Sequence, residues 1–517
     1  MARKEPTWLS DAVFYEIYPQ SFYDTNGDGI GDLDGVIAKL DYVKDLGCRA
    51  IWLNPFYESP FADAGYDISD YYKVAPRYGT NEDFARLCRV AHEKGIRVIA
   101  DLVPCHTSVE HPWFRKSCEK ERNEYSDTFI WCDDPNVESD RLCRITDGRK
   151  DRYYRSYYET QPAINYGFSH PTEPWQKSPD DPVCLRNKQA MLDVMDYWIS
   201  LGCDGFRVDM AAFVVKDDPD GSANKRFWRE VRAIFDEKYP DCVLFPEWSR
   251  PLLALDAGFH FDMFLSGGSL FRGEKPEKNY YNYFRKAGRG ILSRFTEDYL
   301  AWLDGTRDKG YISFVTGNHD QPRISLGRDT EELKVLMAFV FSMPGVPFLY
   351  YGDEIGMRFI DGLDKEGSEI SRGGSRTPMQ WEKGKKNFGF SDSDTPYLPV
   401  DVSPDAPSVS EQQNDPDSLF HTVRNLIALR HAHRALWADG SFRLIDPSLC
   451  YPFWYERAAG TETVRVILNP SGEERTVAEP DNITVLMGRG VSRQGEKLVA
   501  GPCSYLIYTV SGKETSC

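Results

Sequence analysis

The sequence predicts an α/β fold: a (β/α)₈ TIM barrel with an inserted loop-rich domain after the third barrel strand and a C-terminal antiparallel β-sandwich. Three observations predict this arrangement. Eight short apolar segments alternate with longer segments of helical period, which is typical of parallel strands joined by helices. A long polar segment without a period interrupts the alternation once. Near the C-terminus the pattern changes to that of antiparallel strands.

The candidate barrel strands are short runs rich in β-branched and aromatic residues. They are VFYEIYP (13–19), CRAIWL (48–53), IRVIADL (96–102), DGFRVD (204–209), CVLFPE (242–247), FHFDMF (259–264), YISFVTG (311–317) and VPFLYYG (346–352). Eight such units predict a closed barrel, in which functional residues lie at the C-terminal ends of the strands.

The segments between these strands have the period of amphipathic helices. The apolar residues that fall on one face of the segment DGVIAKLDYVKDLG are Val36, Leu40, Val43 and Leu46. The segment SLFHTVRNLIALRHA (418–432) predicts the last helix before the C-terminal domain.

The polar segment from His106 to about Pro182 is rich in Asp, Arg, Tyr and Pro. We expect it to lie over the barrel mouth, where long loops usually carry function. The runs TETVRVILNP and CSYLIYTV predict antiparallel strands in the last part of the chain. The predicted domains are the barrel (1–105 and 183–436), the inserted domain (106–182) and the C-terminal sandwich (437–517).

Composition excludes several classes of partner. The 517 residues include 80 Asp and Glu against 62 Lys and Arg, a formal charge of −18, which disfavours nucleic acid. The most apolar stretch, 335–351, is broken by polar residues, Gly and Pro, so no membrane span and no membrane partner are expected. The N-terminus lacks an apolar signal segment, and the 12 cysteines are scattered singly. We expect reduced thiols in a cytoplasmic protein.

Three acidic residues follow or end predicted strand segments: Asp209, Glu247 and Asp320. A single acid in such a place is commonly a cap, but the geometry of a barrel makes three acids at one rim converge. Cleavage of a glycosidic bond requires two facing carboxyl groups. One stays ionised and attacks the anomeric carbon, while the other is protonated and donates to the leaving oxygen.

Other groups suited to a sugar lie near these acids. Arg207 precedes Asp209 by two residues, so both side chains point to one face of the strand, and the guanidinium would keep the carboxylate ionised. His106 and His319 can each give a neutral hydrogen bond to a hydroxyl. A structural ion pair and buried core rings are the alternative interpretations. The rings that could stack on a sugar are Tyr57, Tyr66, Tyr166 and Trp248.

The strings YDISDYY, DLVPCHTS, GFRVD, LFPEW, FVTGNHDQPR and PFLYYGDEIG resemble, in the right order, the signature segments of the α-amylase family of glycoside hydrolases. More narrowly they resemble its oligo-1,6-glucosidase, α-glucosidase and trehalose synthase group, over residues 11 to 435. The resemblance implies a retaining mechanism with a covalent glucosyl-enzyme. It makes Asp209 the nucleophile, Glu247 the acid/base and Asp320 the third carboxylate, which holds substrate hydroxyls.

The same resemblance implies a set of substrate-binding residues. His106, Arg207 and His319 match ligands of the glucose that is cleaved off. Asp63 and Tyr66 match a polar group and a stacking ring at the blind end of this site. Arg372 matches the arginine that pairs with the aspartate, and Arg376 is a neighbour with which it could be confused.

Three positions depart from the family pattern. Cys105 stands where the family usually has Asn, a calcium ligand in amylases, so a calcium ion at the base of the insertion is not expected. Ala163, in QPAIN, replaces a carboxylate. Met210 follows the nucleophile, where valine accompanies α-1,6 linkages and alanine or threonine accompanies α-1,4, so linkage and aglycone preference stay open.

The expected function is a retaining, exo-acting α-glucosidase that hydrolyses short α-glucosides of the maltose, isomaltose or sucrose type, with a disaccharide or oligosaccharide as substrate. One alternative is a trehalose-synthase-like isomerase or a sucrose-active transglucosylase, which would use the same carboxylates. A remote alternative is a non-catalytic binding protein like the heavy subunits of amino-acid transporters. Those proteins carry a membrane anchor and lose catalytic carboxylates, whereas this chain keeps all three. The oligomeric state stays open.

The segment DTNGDGIGD (24–32) predicts a structural Ca²⁺ site. Its spacing resembles the first nine positions of a calcium loop, with oxygen ligands at alternate positions and a glycine at position 6. The candidate ligands are Asp24, Asn26, Asp28, the main chain of Ile30 and Asp32. The alternative interpretation is a turn rich in Asx residues that leads into a helix. Catalysis itself is not expected to need a metal.

Overall fold

The eight predicted barrel strands are all present in the computed structural model, which describes residues 5–145, 148–264, 283–288, 292–363 and 372–510. Each observed strand lies inside its predicted segment. The barrel strands are β1 (Phe14–Ile17), β2 (Ala50–Leu53), β5 (Arg97–Leu102), β9 (Gly205–Val208), β10 (Val243–Pro246), β11 (Phe261–Met263), β12 (Tyr311–Ser313) and β13 (Phe348–Tyr350). Residues 511–517 of the predicted sandwich and 146–147 of the predicted insertion lie outside the described residues.

The barrel strands are parallel. Six of them form one sheet in the order β10-β9-β5-β2-β1-β13, and β11 pairs with β12. A parallel bridge between Val315 and Phe348 joins the second group to β13. On the other side of the β11–β12 pair, the main-chain N–H of His260, just before β11, donates to the carbonyl of Leu244 in β10 at 3.0 Å. These contacts connect the eight strands around the barrel and confirm the fold class.

Helices follow the barrel strands, and one further helix, Pro112–Ser117, belongs to the insertion. Their bounds are Leu33–Ala38, Leu40–Leu46, Asn81–Glu93, Pro112–Ser117, Pro182–Ser200, Ser222–Lys238, Pro251–Asp256, Leu292–Gly305, Thr330–Ser342, Val409–Asn414 and Leu419–Ala432. The predicted first helix is two helices with a break at Lys39, and all four of its predicted core residues are fully buried.

Large side chains fill the interior of the barrel. The rings of Phe14 and Phe348 lie 4.6 Å apart, and those of Phe245 and Phe261 lie 4.6 Å apart, all without exposure to solvent. Trp52 packs edge-on against Phe245 and Phe348. Because this layer closes the interior, a ligand can reach the barrel residues only from an end of the strands.

The polar insertion contains a small antiparallel sheet. Strand β8 (Arg152–Tyr154) lies between β6 (Trp131–Cys132) and β7 (Leu142–Arg144). A bridge between His106 and Ala163 attaches the segment to the end of β5. A separate hairpin, β3 (Tyr57–Glu58) and β4 (Asp70–Val74), follows β2.

The C-terminal region is antiparallel, as predicted. Its strands are β14 (Ser441–Leu444), β15 (Phe453–Ala459), β16 (Glu462–Asn469), β17 (Arg475–Ala478), β18 (Ile483–Gln494) and β19 (Lys497–Val510). Alternate residues face opposite sides. Tyr455 and Val466 join the main hydrophobic core, whereas Trp454 and Ile467 form a second cluster with residues of β17 and β19.

Two buried arginines lie where the C-terminal sheet meets the barrel, and Arg457, from β15, connects the two. Arg430 donates to the carbonyls of Phe341, Met343 and Gly345, and Arg457 donates to those of Ser342, Trp437, Gly440 and Ser441. The last carbonyls of a helix have no partner within it, so cations are favoured there. The helix Thr330–Ser342 ends at this place.

Replacing Arg457 with methionine is expected to lower the free energy of unfolding by about 3 kcal/mol or more, because several buried carbonyls lose their donor. The melting temperature should fall by about 5 °C or more. Arg443→Met is the matched control, since Arg443 lies in the same sheet with a side chain that is 61% exposed and makes only a surface ion pair with Glu456. Equal effects of the two substitutions, measured by calorimetry, would contradict the assignment.

Two further observations concern the whole chain. None of the helices in the described ranges combines the length and apolar character needed to cross a membrane. The 11 cysteines within these ranges are all free thiols.

Candidate active site

Main-chain hydrogen bonds that continue the barrel ladder fix the positions of two predicted catalytic acids. The N–H of Asp209 donates to the carbonyl of Leu102, and the N–H of Glu247 donates to that of Val208, each at 2.8 Å. Gly205 begins β9 with a φ of 145°, and a Cβ there would lie 2.1 Å from the carbonyl oxygen of Val243. Only glycine therefore allows β9 to approach β10 closely enough for this pairing.

A cavity of about 740 Å³ opens at the C-terminal ends of the barrel strands. The predicted site residues that line it are Asp63, Tyr66, His106, Asp209, Glu247, Asp320 and Arg372. Arg207 and His319 are 1% and 0% exposed and lie behind the wall, where they contact the carboxylates. The structure thus brings the nine predicted catalytic and substrate-binding residues together at one end of the barrel.

Arg207 is the charge centre of the site. Its Nη1 donates to Asp209 Oδ1 at 2.8 Å and to Asp101 Oδ1 at 2.9 Å. Its Nη2 lies 3.0 Å from Glu247 Oε2. One guanidinium therefore holds three carboxyl groups and fixes Asp209 and Glu247 relative to each other.

The charge balance favours one retained proton in this group. Burial raises the pKa of Asp209 well above its usual range; Arg207 opposes this, and the negative charges of Glu247 and Asp101 raise the pKa further. Glu247 is the more accessible of the two, with 31% of its side chain exposed against 9% for Asp209.

Asp320 lies within a group of cations. It accepts hydrogen bonds from Arg372 at 2.7 Å and from Arg376 at 3.0 Å, and His319 Nε2 lies 3.1 Å away. Burial alone would raise the pKa of Asp320, but these three cations hold it well below its usual range. Asp320 is therefore ionised and cannot act as a proton donor near neutral pH.

His319 is charged, which differs from the neutral hydrogen-bond donor expected from the sequence. Its Nδ1 lies 2.8 Å from Glu16 Oε1, and its ring stacks on Tyr66 at 5.4 Å. Burial would lower the pKa of His319, but the carboxylates of Asp320 and Glu16 raise it to about 9. The physical reason is that two carboxylates flank one buried imidazole.

His106 is neutral, in agreement with the sequence analysis. Burial lowers its pKa to about 4. Its Nε2 donates to the carbonyl of Tyr66 at 2.9 Å, and its Nδ1 is buried without a hydrogen-bond partner among the described residues. The Tyr66 hydroxyl donates to Asp101 Oδ2 at 2.9 Å. This hydrogen bond holds the ring of Tyr66 beside His319.

Asp63 and Arg372 close one side of the cavity. Arg372 Nη2 donates to Asp63 Oδ1 at 3.0 Å, while its Nη1 contacts Asp320. The other oxygen of Asp63 accepts a hydrogen bond from Gln161 Nε2 at 2.8 Å. Arg376, the alternative arginine, contacts Asp320 and the carbonyl of His319 rather than Asp63.

Sequence reasoning missed three buried polar residues that support the site. They are Glu16, which contacts His319, Asp101, which contacts Arg207, and Gln161, which contacts Asp63. Glu16 and Asp101 lie inside apolar strand segments, where a carboxyl group is unusual and could have been a signal. Gln161 lies in the irregular insertion and has no comparable signal.

Met210 has an unusual backbone conformation. Its φ is 45°, in the left-handed region, which side chains other than glycine rarely adopt. In this conformation its N–H donates to Glu247 Oε2 at 3.2 Å, and its carbonyl accepts a bond from the Cys105 thiol at 3.2 Å. Cys105 thus supports the turn after Asp209, and strain of this kind is often found at functional sites.

The segment 24–32 has the oxygen chemistry that Ca²⁺ prefers, but its side chains also cap the loop. Asp24 accepts hydrogen bonds from the main-chain N–H groups of Asn26, Gly27 and Gly29, and Asp28 accepts one from the N–H of Ile30. Asp32 accepts hydrogen bonds from Thr25 and Gly35. Within the described ranges, no three His, Cys, Asp or Glu side chains gather as a metal-binding group. Calcium stays a prediction, and the loop lies outside the cavity lining.

Removing calcium with a chelator is expected to lower the melting temperature and leave activity at moderate temperature largely intact. A ligand that binds only the folded state stabilises it by mass action. Asp28→Asn should reduce the thermal shift on re-adding Ca²⁺. Absence of bound metal by elemental analysis, together with no shift, would leave 24–32 as an Asx-rich turn.

The barrel, its C-terminal cavity and the carboxylates identify the class of protein. The α-amylase catalytic-domain family matches residues 16–439, so the chain belongs to the α-amylase family of glycoside hydrolases. Together with the relatives described next, this match makes the protein an enzyme, and the remote interpretation as a non-catalytic binding protein is wrong.

Individual relatives cover most of the chain. The trehalose synthase/amylase TreS of Mycolicibacterium smegmatis is 33% identical over 503 residues, which is 86% of this chain and 80% of the relative. The oligo-1,6-glucosidase of Parageobacillus thermoglucosidasius is 31% identical over 548 residues, which is 93% of both chains. The structure of trehalulose synthase MutB from Pseudomonas mesoacidophila has a TM-score of 0.82 at 28% identity and covers 98% of this chain and 99% of that chain.

Proposed function

We propose that the protein is a retaining, exo-acting α-glucosidase that hydrolyses short α-glucosides. The observation that carries the proposal is the position of Arg207, which contacts both Asp209 and Glu247 beside a cavity closed on one side by Asp63 and Arg372. The similarity to oligo-1,6-glucosidases supports the reaction class.

In the first step, Asp209 attacks the anomeric carbon of the bound glucose while Glu247 gives its proton to the leaving oxygen. Arg207 orients the attacking oxygen, and the greater exposure of Glu247 suits a group on the side from which the aglycone leaves. The bond to the aglycone breaks, and a glucosyl ester forms on Asp209 with inverted configuration.

In the second step, Glu247 takes a proton from water, and the resulting oxygen attacks the anomeric carbon. The ester bond to Asp209 breaks, and a second inversion restores the α configuration. Asp320 remains ionised throughout, because His319, Arg372 and Arg376 compensate its charge. It is placed to accept hydrogen bonds from glucose hydroxyls, as the third carboxylate is expected to do.

Product analysis by proton NMR tests the proposal. Maltose, isomaltose, sucrose and trehalose are each incubated with the enzyme, and the anomer that appears first is recorded before mutarotation. We expect α-glucose as the first product from at least one of them. Initial release of the non-reducing glucose unit as the β anomer, which sucrose reports directly because its aglycone is fructose, would exclude the retaining mechanism.

A second candidate function is isomerisation of a disaccharide, and the similarity to TreS and to trehalulose synthase specifically favours it. The glucosyl-enzyme would be the same, but the aglycone would stay bound and attack through another hydroxyl. The same NMR experiment separates the two candidates. Hydrolysis gives free glucose in proportion to substrate consumed, whereas isomerisation gives a new disaccharide.

A further inference from the structure

Glu16 is a buried carboxylate that the proposed reaction steps do not use. It lies in β1 and is 1% exposed, and its Oε1 accepts hydrogen bonds from His319 Nδ1 at 2.8 Å and from Asn54 Nδ2 at 3.2 Å. Its other oxygen, Oε2, is buried without a hydrogen-bond partner among the described residues. A glutamine could accept the same two hydrogen bonds without the cost of burying a negative charge. The carboxylate therefore indicates that the charge itself has a role here.

Both nitrogens of the His319 ring face hydrogen-bond acceptors. Nδ1 faces the carboxylate of Glu16, and Nε2 lies 3.1 Å from Asp320 Oδ2 and 2.8 Å from the hydroxyl oxygen of Tyr66. The Tyr66 hydroxyl gives its one proton to Asp101 Oδ2, so its oxygen accepts from Nε2. All of these contacts are hydrogen bonds when both nitrogens carry a proton, which makes the ring an imidazolium.

The His319 ring is enclosed. It is fully buried and lies between the rings of Tyr18 and Tyr66, which are nearly parallel to it at centroid distances of 6.2 and 5.4 Å. Burial favours the neutral ring, so its charge depends on the carboxylates beside it, which raise the pKa of His319 to about 9. The ionisable groups that face the ring or its main chain are Glu16, Tyr18, Tyr66, Asp101, Asp320 and Arg376.

Loss of one proton from His319 would disturb the glucose site. The remaining proton would stay on Nδ1, beside Glu16, and Nε2 would turn a lone pair toward Asp320 and the oxygen of Tyr66. Acceptors that face each other in a buried place lose their hydrogen bonds, which costs free energy. Asp320 and Tyr66 both line the catalytic cavity, so the change would act directly on the wall that receives glucose.

We propose that Glu16 is a positioning residue of the glucose site. Its carboxylate keeps both nitrogens of His319 protonated, and the loss of a proton from His319, not from Glu247, limits activity in alkaline solution. Glu16 acts through His319 and is not part of the cavity lining. The kinetic part of the inference rests on the proposed function, whereas the charge of His319 can be measured without any turnover.

Histidine-selective isotope labelling and NMR test the charge directly. In the wild type the His319 ring should be an imidazolium at neutral pH and titrate with a pKa of about 9. Glu16→Gln keeps an acceptor at Nδ1 and removes the negative charge, so the midpoint of the titration should fall by about one pH unit or more. The signal of His319 is assigned by its loss in His319→Gln. A neutral ring in the wild type at neutral pH, with Nδ1 accepting from Asn54, would overturn the proposal, as would an unchanged midpoint in Glu16→Gln.

Asp204→Asn is the matched control for Glu16→Gln. Asp204 is also a buried carboxylate in contact with a histidine, since its Oδ2 lies 2.7 Å from Nε2 of His92. It precedes the first residue of β9 and therefore lies at the opposite end of the barrel from the cavity. Its replacement should leave the titration of His319 and the pH dependence of activity as in the wild type, even where the melting temperature falls.

The pH dependence of kcat/KM gives the second readout. Fluoride leaves with little protonation, so cleavage of α-glucosyl fluoride should not be limited by loss of the proton from Glu247. We expect kcat/KM to fall in alkaline solution for this substrate as for a disaccharide, with the same midpoint as the titration of His319. Glu16→Gln should lower kcat/KM about fivefold at pH 9, which corresponds to a midpoint one pH unit lower, and by about twofold or less at pH 6.5.

The two substrates separate the possible outcomes. An alkaline fall that is present with the disaccharide and absent with α-glucosyl fluoride would assign the limit to Glu247 and overturn the proposal. Failure to turn over any α-glucoside would instead refute the proposed α-glucosidase function, and the NMR titration of the wild type and of Glu16→Gln still decides whether Glu16 holds the charge of His319.

Discussion

Asp209→Asn is expected to abolish turnover of every α-glucoside, with a loss of about ten-thousand-fold or more in kcat. An amide cannot form the glucosyl ester, and the effect should be the same for good and poor leaving groups. In Asp209→Gly, azide can occupy the vacated space and attack from the same face. The expected product is β-glucosyl azide, because a single inversion has then taken place.

Asp204→Asn is the matched control for this prediction. Asp204 precedes the other end of the same strand, is also buried, and pairs with Arg97 and His92. Its replacement should lower the melting temperature and leave kcat close to that of the wild type. Glu247→Gln should lose activity on disaccharides and keep more of it on activated aryl glucosides, which need little protonation. An α-glucosyl azide product, or an active Asp209→Asn enzyme, would remove Asp209 from the nucleophile role.

The barrel could be predicted because parallel strands buried on both faces are continuous apolar runs. The acids at their ends could be predicted because all strands of such a barrel point to one rim. The period of two inside each strand carries additional information. Side chains two residues apart in a strand point to the same face. Phe14 is followed two residues later by Glu16, and Phe245 by Glu247, so a phenylalanine of the apolar interior layer is followed on the same face by a carboxyl group of the polar layer above it.

The parts of the site that could not be predicted depend on contacts between distant segments. His319 is charged because two carboxylates flank it: that of Asp320, its neighbour in the chain, and that of Glu16, 303 residues earlier. Gln161 supports Asp63 from an insertion without any period. Left-handed Met210 has no sequence signal, because methionine is not a residue that favours that conformation. Such features follow from how loops close over the barrel, which local patterns do not encode.

Soluble starch is expected to remain almost uncut while disaccharides and short oligosaccharides lose single glucose units. An internal cut requires the chain to continue past the non-reducing end of the cleaved glucose. Asp63, Arg372 and Gln161 are joined there by hydrogen bonds of 3.0 and 2.8 Å and form a closed wall. Hydrogen bonds to charged groups contribute roughly 1.5–3 kcal/mol each, so a substrate extended through the wall loses that stabilisation.

Asp63→Ala should therefore lower kcat/KM on a disaccharide by about 10- to 100-fold, which corresponds to the loss of one such bond. Asp63→Asn should lose less, because the amide keeps the shape and one acceptor. Folding should be little affected, since the side chain lies in a loop at the cavity and not in the apolar layer. The measurement is kcat/KM on maltose, maltoheptaose and soluble starch for the three proteins. Rapid fragmentation of starch into mixed oligosaccharides by the wild type would show that the pocket is open beyond Asp63, because only a cleft that continues past Arg372 can accommodate an internal segment of the chain.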